Sequence, residues 1–215
     1  MKKIALCCFY FISLQNHAQL ISEKQKVVDS TASFLEKTEF KLGYFGNVLW
    51  NPGLSSGAEY VIREKIRIKE RKRGNKTVTK QLLLNGNLGF YWDPRSHVGV
   101  FTDYGITWRR TNNKGKQISI EFNPLGYHRS FLPETYEVKN GEVDKVFLPG
   151  RGYYAPSLSL GFGRLRKGRK LTASYFNINF KLLTPYNTGS LPMVSFNYGY
   201  RFKLKKNKKH TKDEK

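Results

Sequence analysis

His128, Arg129 and Ser130 place an imidazole and a hydroxyl two residues apart in the sequence. In an extended segment these two side chains lie on one face, and Glu142 returns toward them if the intervening residues form a hairpin. A histidine base, a serine nucleophile and an acid that orients the histidine are the groups that acyl hydrolysis requires. Polar residues at the end of a strand produce the same pattern without any chemistry, and we favour that interpretation.

The His-x-Ser spacing is similar to that of the lipid A deacylases, which are eight-stranded outer-membrane barrels. Phe131 follows the serine where that family has asparagine, and we expect the motif to lie in a surface loop. The resemblance implies one alternative function, a barrel-embedded lipid hydrolase that uses His128 and Ser130. Our prediction is a non-enzymatic protein without a catalytic residue.

The sequence contains no pattern that is typical of metal or cofactor binding. His97, His128 and His210 lack the spacing of metal ligands, and no glycine-rich phosphate-binding loop occurs. We therefore predict no metal site and no bound cofactor.

The first residues have the pattern of a secretory signal. A basic start at residues 1–3 precedes an apolar run at 4–14, and Asn16-His17-Ala18 is a candidate cleavage site. The run is shorter than the roughly 20 residues that a membrane-spanning helix needs. We predict a signal peptide at 1–18 and Sec-type export. Because Cys7 and Cys8 are the only cysteines, the mature chain would contain no disulfide.

Apolar residues alternate with small or polar ones through most of the remaining chain. From Val194 to Phe202 every second residue is apolar, which is the period of a strand with one apolar face. This segment resembles the closing strand of small bacterial outer-membrane β-barrels of the eight-stranded OmpA/OmpX-like class, although a lysine-rich tail follows it. The alternation predicts eight strands, at 39–50, 56–71, 77–92, 97–110, 117–123, 153–165, 169–183 and 191–203.

The face opposite the large apolar residues carries mostly glycine, serine and asparagine, as at Asn85, Gly161 and Ser195. A soluble lipocalin-like barrel would instead cover its outside with long charged side chains. Small polar residues suit the interior of a narrow barrel. We predict an all-β fold, a transmembrane antiparallel up-and-down β-barrel that is closed and non-conducting. Its inward charges are expected to pair: Glu59, Arg63, Lys65, Arg67, Asp103, Arg109, Glu121, Lys181 and Arg201.

Two residue classes sort to opposite strand ends. The connections at 73–76, 114–116 and 167–169 are short, glycine-centred and basic, whereas all 8 prolines lie toward the other end. We predict that the basic end faces the periplasm. The predicted organisation is a signal peptide at 1–18, a periplasmic lead at 19–38, a barrel at 39–203 and a basic disordered tail at 204–215.

The net charge of +22 is concentrated at that basic end. Segments 69–76, 109–116, 164–170 and 203–215 contain 21 Lys+Arg and 3 Asp+Glu. Such charge attracts nucleic acid as well as anionic lipid headgroups. Because no nucleic-acid recognition motif occurs and the chain is expected to be exported, we predict membrane lipid as the partner and no nucleic acid.

The longest connection, 124–152, contains a strong hairpin signal around Asn140-Gly141 and is the most acidic part of the chain. Long loops in compact domains are usually functional or disordered. We expect either an ordered surface that binds an envelope protein or a lid that closes the barrel. The predicted role is structural or partner-binding through loop 124–152 in the bacterial outer membrane. A component of an envelope secretion or transport assembly is a further alternative, and the periplasmic rim is the second place where an envelope protein is expected to bind.

Overall fold

A computed structural model of the chain describes residues 33–47, 51–69, 76–139, 141–165, 171–187 and 189–204. The predicted signal peptide, the lead before residue 33 and the tail after residue 204 lie outside these residues. Within them, no helix is long and apolar enough to cross a membrane. The elements are α1 (Phe34–Lys37), β1 (Thr38–Asn47), β2 (Asn51–Lys69), β3 (Lys76–Asp93), β4 (His97–Asn112), β5 (Lys116–Phe131), β6 (Tyr136–Lys139), β7 (Glu142–Lys145), β8 (Gly150–Tyr154), β9 (Ser157–Leu165), β10 (Leu171–Tyr186) and β11 (Gly189–Phe202).

Nine of these strands form an antiparallel sheet that closes on itself. Each strand from β1 to β5 pairs with the next in the chain, and β11 pairs with both β10 and β1. β8 and β9 both lie between β5 and β10, so they occupy one position in the ring. The described residues thus form a closed ring of eight strands, which confirms the predicted strand number and antiparallel order.

The strand alternation separates two faces of the sheet as predicted. Asn177 and Ser195 are buried inside the ring, whereas Leu84 and Phe180 are about half exposed on the outside. Small inward side chains are required because neighbouring strands approach closely. A Cβ built on Gly161 would lie 2.2 Å from the Ser119 hydroxyl oxygen.

A β-bulge at Ile62 corrects part of the predicted inner face. Val61 pairs with Leu83 but Arg63 pairs with Leu82, so Ile62 is an extra residue in β2. The insertion reverses the alternation after it, as expected from the two-residue period of a strand. The prediction was therefore wrong for three cations, which share the outward face with Leu82: Arg63, Lys65 and Arg67.

The predicted connection at 124–152 assumed that the fifth strand ends before Pro124. The strand continues through this proline. β5 continues to Phe131 and β8 begins at Gly150, so the connection spans 132–149. The register with β4 shifts between Tyr104 and Ile106, opposite Pro124, where the proline cannot donate to the ladder. Leu125 and Tyr127 are exposed and His128 is buried, so the two-residue period of a strand resumes beyond this irregularity.

The predicted hairpin within that connection is confirmed. β6 and β7 pair as a separate two-stranded sheet, and Gly141 has φ +87°, a conformation that favours glycine. Asn140, the other residue of the predicted turn, lies outside the described residues. Val138 and Val143, which face each other across the hairpin, are both largely exposed.

Candidate functional site

Among the described residues, eight charged side chains lie buried inside the ring, and they balance as four cations and four carboxylates. Glu59 forms ion pairs with Lys41 (Nζ to Oε1, 3.0 Å), with Arg109 and with Arg201 (Nε to Oε2, 3.1 Å). Burying a charge is costly unless an opposite charge accompanies it. The matched set therefore keeps the polar interior compatible with folding: Glu39, Lys41, Glu59, Asp103, Arg109, Glu121, Lys181 and Arg201.

Glu39 and Glu121 extend the network across the ring. Arg109 Nη1 lies 2.7 Å from Glu39 Oε2, and Lys41 Nζ lies 3.8 Å from Glu121 Oε1. Asn177 Nδ2 donates to Glu121 Oε1 at 2.9 Å. Pairing of inward charges is thus confirmed for six of the predicted residues: Glu59, Asp103, Arg109, Glu121, Lys181 and Arg201.

Two members of the network, Glu39 and Lys41, were missed by the sequence analysis. The strand alternation that turns Leu42 outward turns Glu39 and Lys41 inward, so both could have been assigned to the interior from sequence. One cavity beside the network measures about 10 Å³ and is bordered by Lys41, Asp103 and Asn123. This volume suffices for about one water molecule.

His128 and Ser130 lie together at the other end of the interior. Both residues are on β5, and the structure corrects their expected position in a loop. His128 is fully buried, and the Ser130 hydroxyl lies 3.3 Å from His128 Nε2. The Tyr91 hydroxyl also lies 3.3 Å from that nitrogen and 3.0 Å from His97 Nε2. One imidazole nitrogen is therefore shared by two hydroxyl groups.

Glu142 does not orient this histidine. It lies on β7, exposed in the separate hairpin and paired in register with Lys139. His128 Nδ1, which an orienting carboxylate would contact, is buried without a hydrogen-bond partner within the described part of the chain. A catalytic histidine requires such a partner to hold its tautomer and orientation. The observed geometry therefore supplies a nucleophile and a base but no orienting acid.

Aromatic side chains surround the histidine and were not predicted. The Tyr91 ring stacks on His128 with 5.7 Å between centroids, and Tyr153 lies 6.2 Å away. Gly99 makes room for Tyr91, because a Cβ there would lie 2.3 Å from the tyrosine ring. Tyr91 shares the inward alternation of Asn85 and so could have been assigned to the interior from sequence.

Metal-binding groups are not clustered in this site. Within the described ranges, no group of three or more His, Cys, Asp or Glu side chains is placed to hold a metal ion. The chain matches no protein-family model, no curated protein and no solved structure.

Proposed function

We propose that this chain is a closed, non-conducting β-barrel of the bacterial outer membrane with a structural or partner-binding role and no enzymatic activity. The observation that carries the proposal is a belt of exposed apolar side chains around the whole ring. Soluble monomers rarely expose contiguous apolar patches larger than a few hundred Å². Each of the eight ring positions contributes at least one such residue: Leu42, Leu54, Leu84, Ile106, Ile120, Leu160, Phe180 and Tyr198.

The polarity of the two faces supports insertion into lipid. Ionised and amide groups fill the interior while the outside is apolar, which is the reverse of a soluble barrel and typical of membrane barrels. A closed ring also leaves no unpaired strand edge for lipid to solvate. The narrow interior, with about 10 Å³ of space beside the ion network, supports a barrel that does not conduct solutes.

The hairpin β6–β7 supports a surface role at the opposite end from the basic turns. Glu134, two residues before β6, pairs with Lys145, and Glu137, Glu142 and Asp144 lie along the two strands of the hairpin. Tyr136 and Phe147 expose large apolar surfaces beside them. Exposed aromatic side chains are enriched at protein interfaces, and the neighbouring carboxylates favour a partner with a basic surface, so this region suits contact with another envelope protein.

The second candidate function is a lipid acyl hydrolase, favoured only by the 3.3 Å contact between Ser130 and His128. His128 is fully buried and lacks an orienting acid among the described residues. These two features place the hydrolase second.

Cell fractionation combined with gel mobility tests the membrane proposal. We expect the full chain, expressed in a Gram-negative host, to sediment with the outer membrane and to migrate differently before and after boiling. The mobility difference reflects the kinetic stability of a closed, hydrogen-bonded ring. Purified protein in a planar bilayer should give no steady conductance.

A substitution where β11 pairs with β1 tests closure of the ring, and a second substitution in β11 is its matched control. Gly199 faces Gly43 across β11 and β1, and a Cβ at Gly199 would lie 2.2 Å from the Leu42 carbonyl oxygen. Gly199→Val should reduce the heat-dependent mobility shift, whereas Ser195→Ala in the same strand should retain it. Recovery of the unaltered chain from the soluble periplasm would contradict the proposal.

A further inference from the structure

Cations face one another across neighbouring strands on the outer surface, at the end of the ring with the basic turns. Lys80 lies directly opposite Arg110, and Lys116 lies directly opposite Arg164. Arg110, Lys116 and Arg164 are exposed, and Lys80 is half-buried. Like charges directly opposite each other destabilise a sheet. This arrangement is therefore unfavourable unless an anion lies between the cations.

Within the part of the chain that the structure describes, no carboxylate supplies that anion. The four buried carboxylates are matched by the four buried cations inside the ring. Glu64, on β2 near this end, accepts a hydrogen bond from Gln81 at 2.7 Å. Within the described ranges, no ion pair involves Arg110, Lys116 or Arg164.

Arg110, Lys116 and Arg164, together with Lys76, border a groove on the outer face that has a volume of about 530 Å³. Ile118 and Phe162 form its apolar part, and both are about half exposed. Ile118 lies directly opposite Arg110 on one side and Phe162 on the other. The groove thus joins a positively charged rim to the apolar belt of the ring.

The turn between β4 and β5 fixes the position of Lys116. Asn112 Oδ1 accepts hydrogen bonds from the backbone N–H groups of Lys114 (3.1 Å) and Lys116 (2.9 Å). Gly115 has φ +76° and donates to the Asn112 carbonyl oxygen at 2.9 Å. The backbone that carries Lys116 is therefore held before any ligand binds, which reduces the entropy lost on binding.

We propose that this groove binds an anionic phospholipid, with the phosphate between Arg110, Lys116 and Arg164 and an acyl chain along Ile118 and Phe162. The inference rests on the proposed membrane insertion, which would place the groove at the lipid headgroup level. One guanidinium group can donate hydrogen bonds to two oxygens of the same phosphate. A phospholipid fits better than free phosphate because half-exposed apolar side chains continue directly from the cations.

Trp108 provides a local probe of the bound lipid. It precedes Arg110 by two residues on the same outward face and lies directly opposite Ile120. A reporter protein with Trp50→Phe and Trp92→Phe would retain Trp108 as its only tryptophan. Its fluorescence is measured in phosphatidylcholine vesicles that contain increasing fractions of phosphatidylglycerol, with bromine on the acyl chains of one lipid at a time. Bromine quenches a tryptophan in contact with it, so the ratio of the two quenching curves gives the lipid preference.

We expect Trp108 to prefer brominated phosphatidylglycerol. Arg110→Gln/Arg164→Gln in the reporter should lower that preference roughly thirtyfold, because each of the two cations contributes about 1 kcal/mol near an anionic surface and about 1.4 kcal/mol is a factor of ten. The matched control is Arg95→Gln/Arg151→Gln, which removes the same charge from exposed positions outside the groove and should leave the preference unchanged.

Equal quenching by both lipids, an equal loss in the control, or abolition of the preference by millimolar inorganic phosphate would overturn the proposal. Each variant is also tested for the heat-dependent mobility shift. Retention of that shift without a lipid preference would reject the lipid site but not the barrel.

Discussion

The ammonium of Lys181 on β10 lies 2.8 Å from Oδ1 and 3.0 Å from Oδ2 of Asp103 on β4. It also lies 4.2 Å from the ring centroid of Phe101. β4 and β10 are not neighbours in the sheet, so the pair crosses the interior and connects two separate parts of the ring. Both side chains are buried, which makes each dependent on the other for charge compensation.

Removing one partner of this pair should destabilise the protein strongly. We expect Asp103→Asn to lower the free energy of unfolding by about 3–5 kcal/mol, because Lys181 would remain buried without its carboxylate. Urea titration of the protein in lipid vesicles measures the change. The control Asp144→Asn, in the exposed hairpin, should have little effect. A loss below about 1 kcal/mol for Asp103→Asn would show that water compensates the lysine.

A charge placed on the outer belt should also destabilise the protein if lipid covers that belt. Phe180 is 49% exposed and lies near the middle of β10, directly opposite Leu158 on one side and Val194 on the other. Phe180→Arg is expected to cost about 2–4 kcal/mol in a bilayer, as for arginine near the midplane of other membrane barrels. The measurement is unfolding in vesicles.

The neighbouring position supplies the matched control for that substitution. Asn179 faces the interior, where its Nδ2 donates to the Ser195 hydroxyl at 3.3 Å. Asn179→Ser preserves a small polar group there and should change stability only slightly. Equally small effects of Phe180→Arg and Asn179→Ser would show that the outer face is in water.

Most of the ring could be predicted from the sequence because the strand period separates apolar and polar side chains at each position. The alternation seen at Val194, Phe196 and Tyr198 recurs in the other strands, and it predicts the number of strands and the outward face. The predicted face was wrong after Ile62, since a bulge inserts one residue without any change in composition. It failed again at Pro124, where a local irregularity in the ladder accommodates a residue that usually ends a strand.

The contacts of His128 could be predicted only in part. The two-residue spacing correctly placed Ser130 on the same face, because that relation depends only on local strand geometry. The expected contact with Glu142 was wrong, since a hairpin that forms its own two-stranded sheet does not return to the ring. Tyr91 contacts both His97 and His128 through the arrangement of three strands, which spacing along the chain does not determine.

The proposed orientation predicts opposite labelling of the two ends of the ring. Glu142 and Lys114 are exposed residues in the hairpin and in a basic turn, respectively. With Cys7 and Cys8 replaced by serine, Glu142→Cys should react with an impermeant maleimide on intact cells, whereas Lys114→Cys should react only after the outer membrane is opened. These positions avoid the strain of placing cysteine at Gly141 or Gly115, where φ is positive. The reverse labelling pattern would invert the proposed topology.

The last prediction separates a partner-binding barrel from a lipid hydrolase. We expect outer-membrane lipids from cells with and without the protein to have the same acyl chains by mass spectrometry, because His128 Nε2 is shared between Tyr91 and Ser130 and no carboxylate orients the ring in the described residues. Ser130→Ala and His128→Ala should accordingly leave the lipid profile unchanged. An acyl chain that is missing with the unaltered protein and returns with Ser130→Ala would establish hydrolase activity, since removing a nucleophile typically lowers the rate by several orders of magnitude. Tyr91→Phe distinguishes the two functions further, because it removes the hydroxyl that competes with Ser130 for His128 Nε2. In a hydrolase this substitution should increase the activity. In a barrel that only binds partners it should leave the lipid profile unchanged.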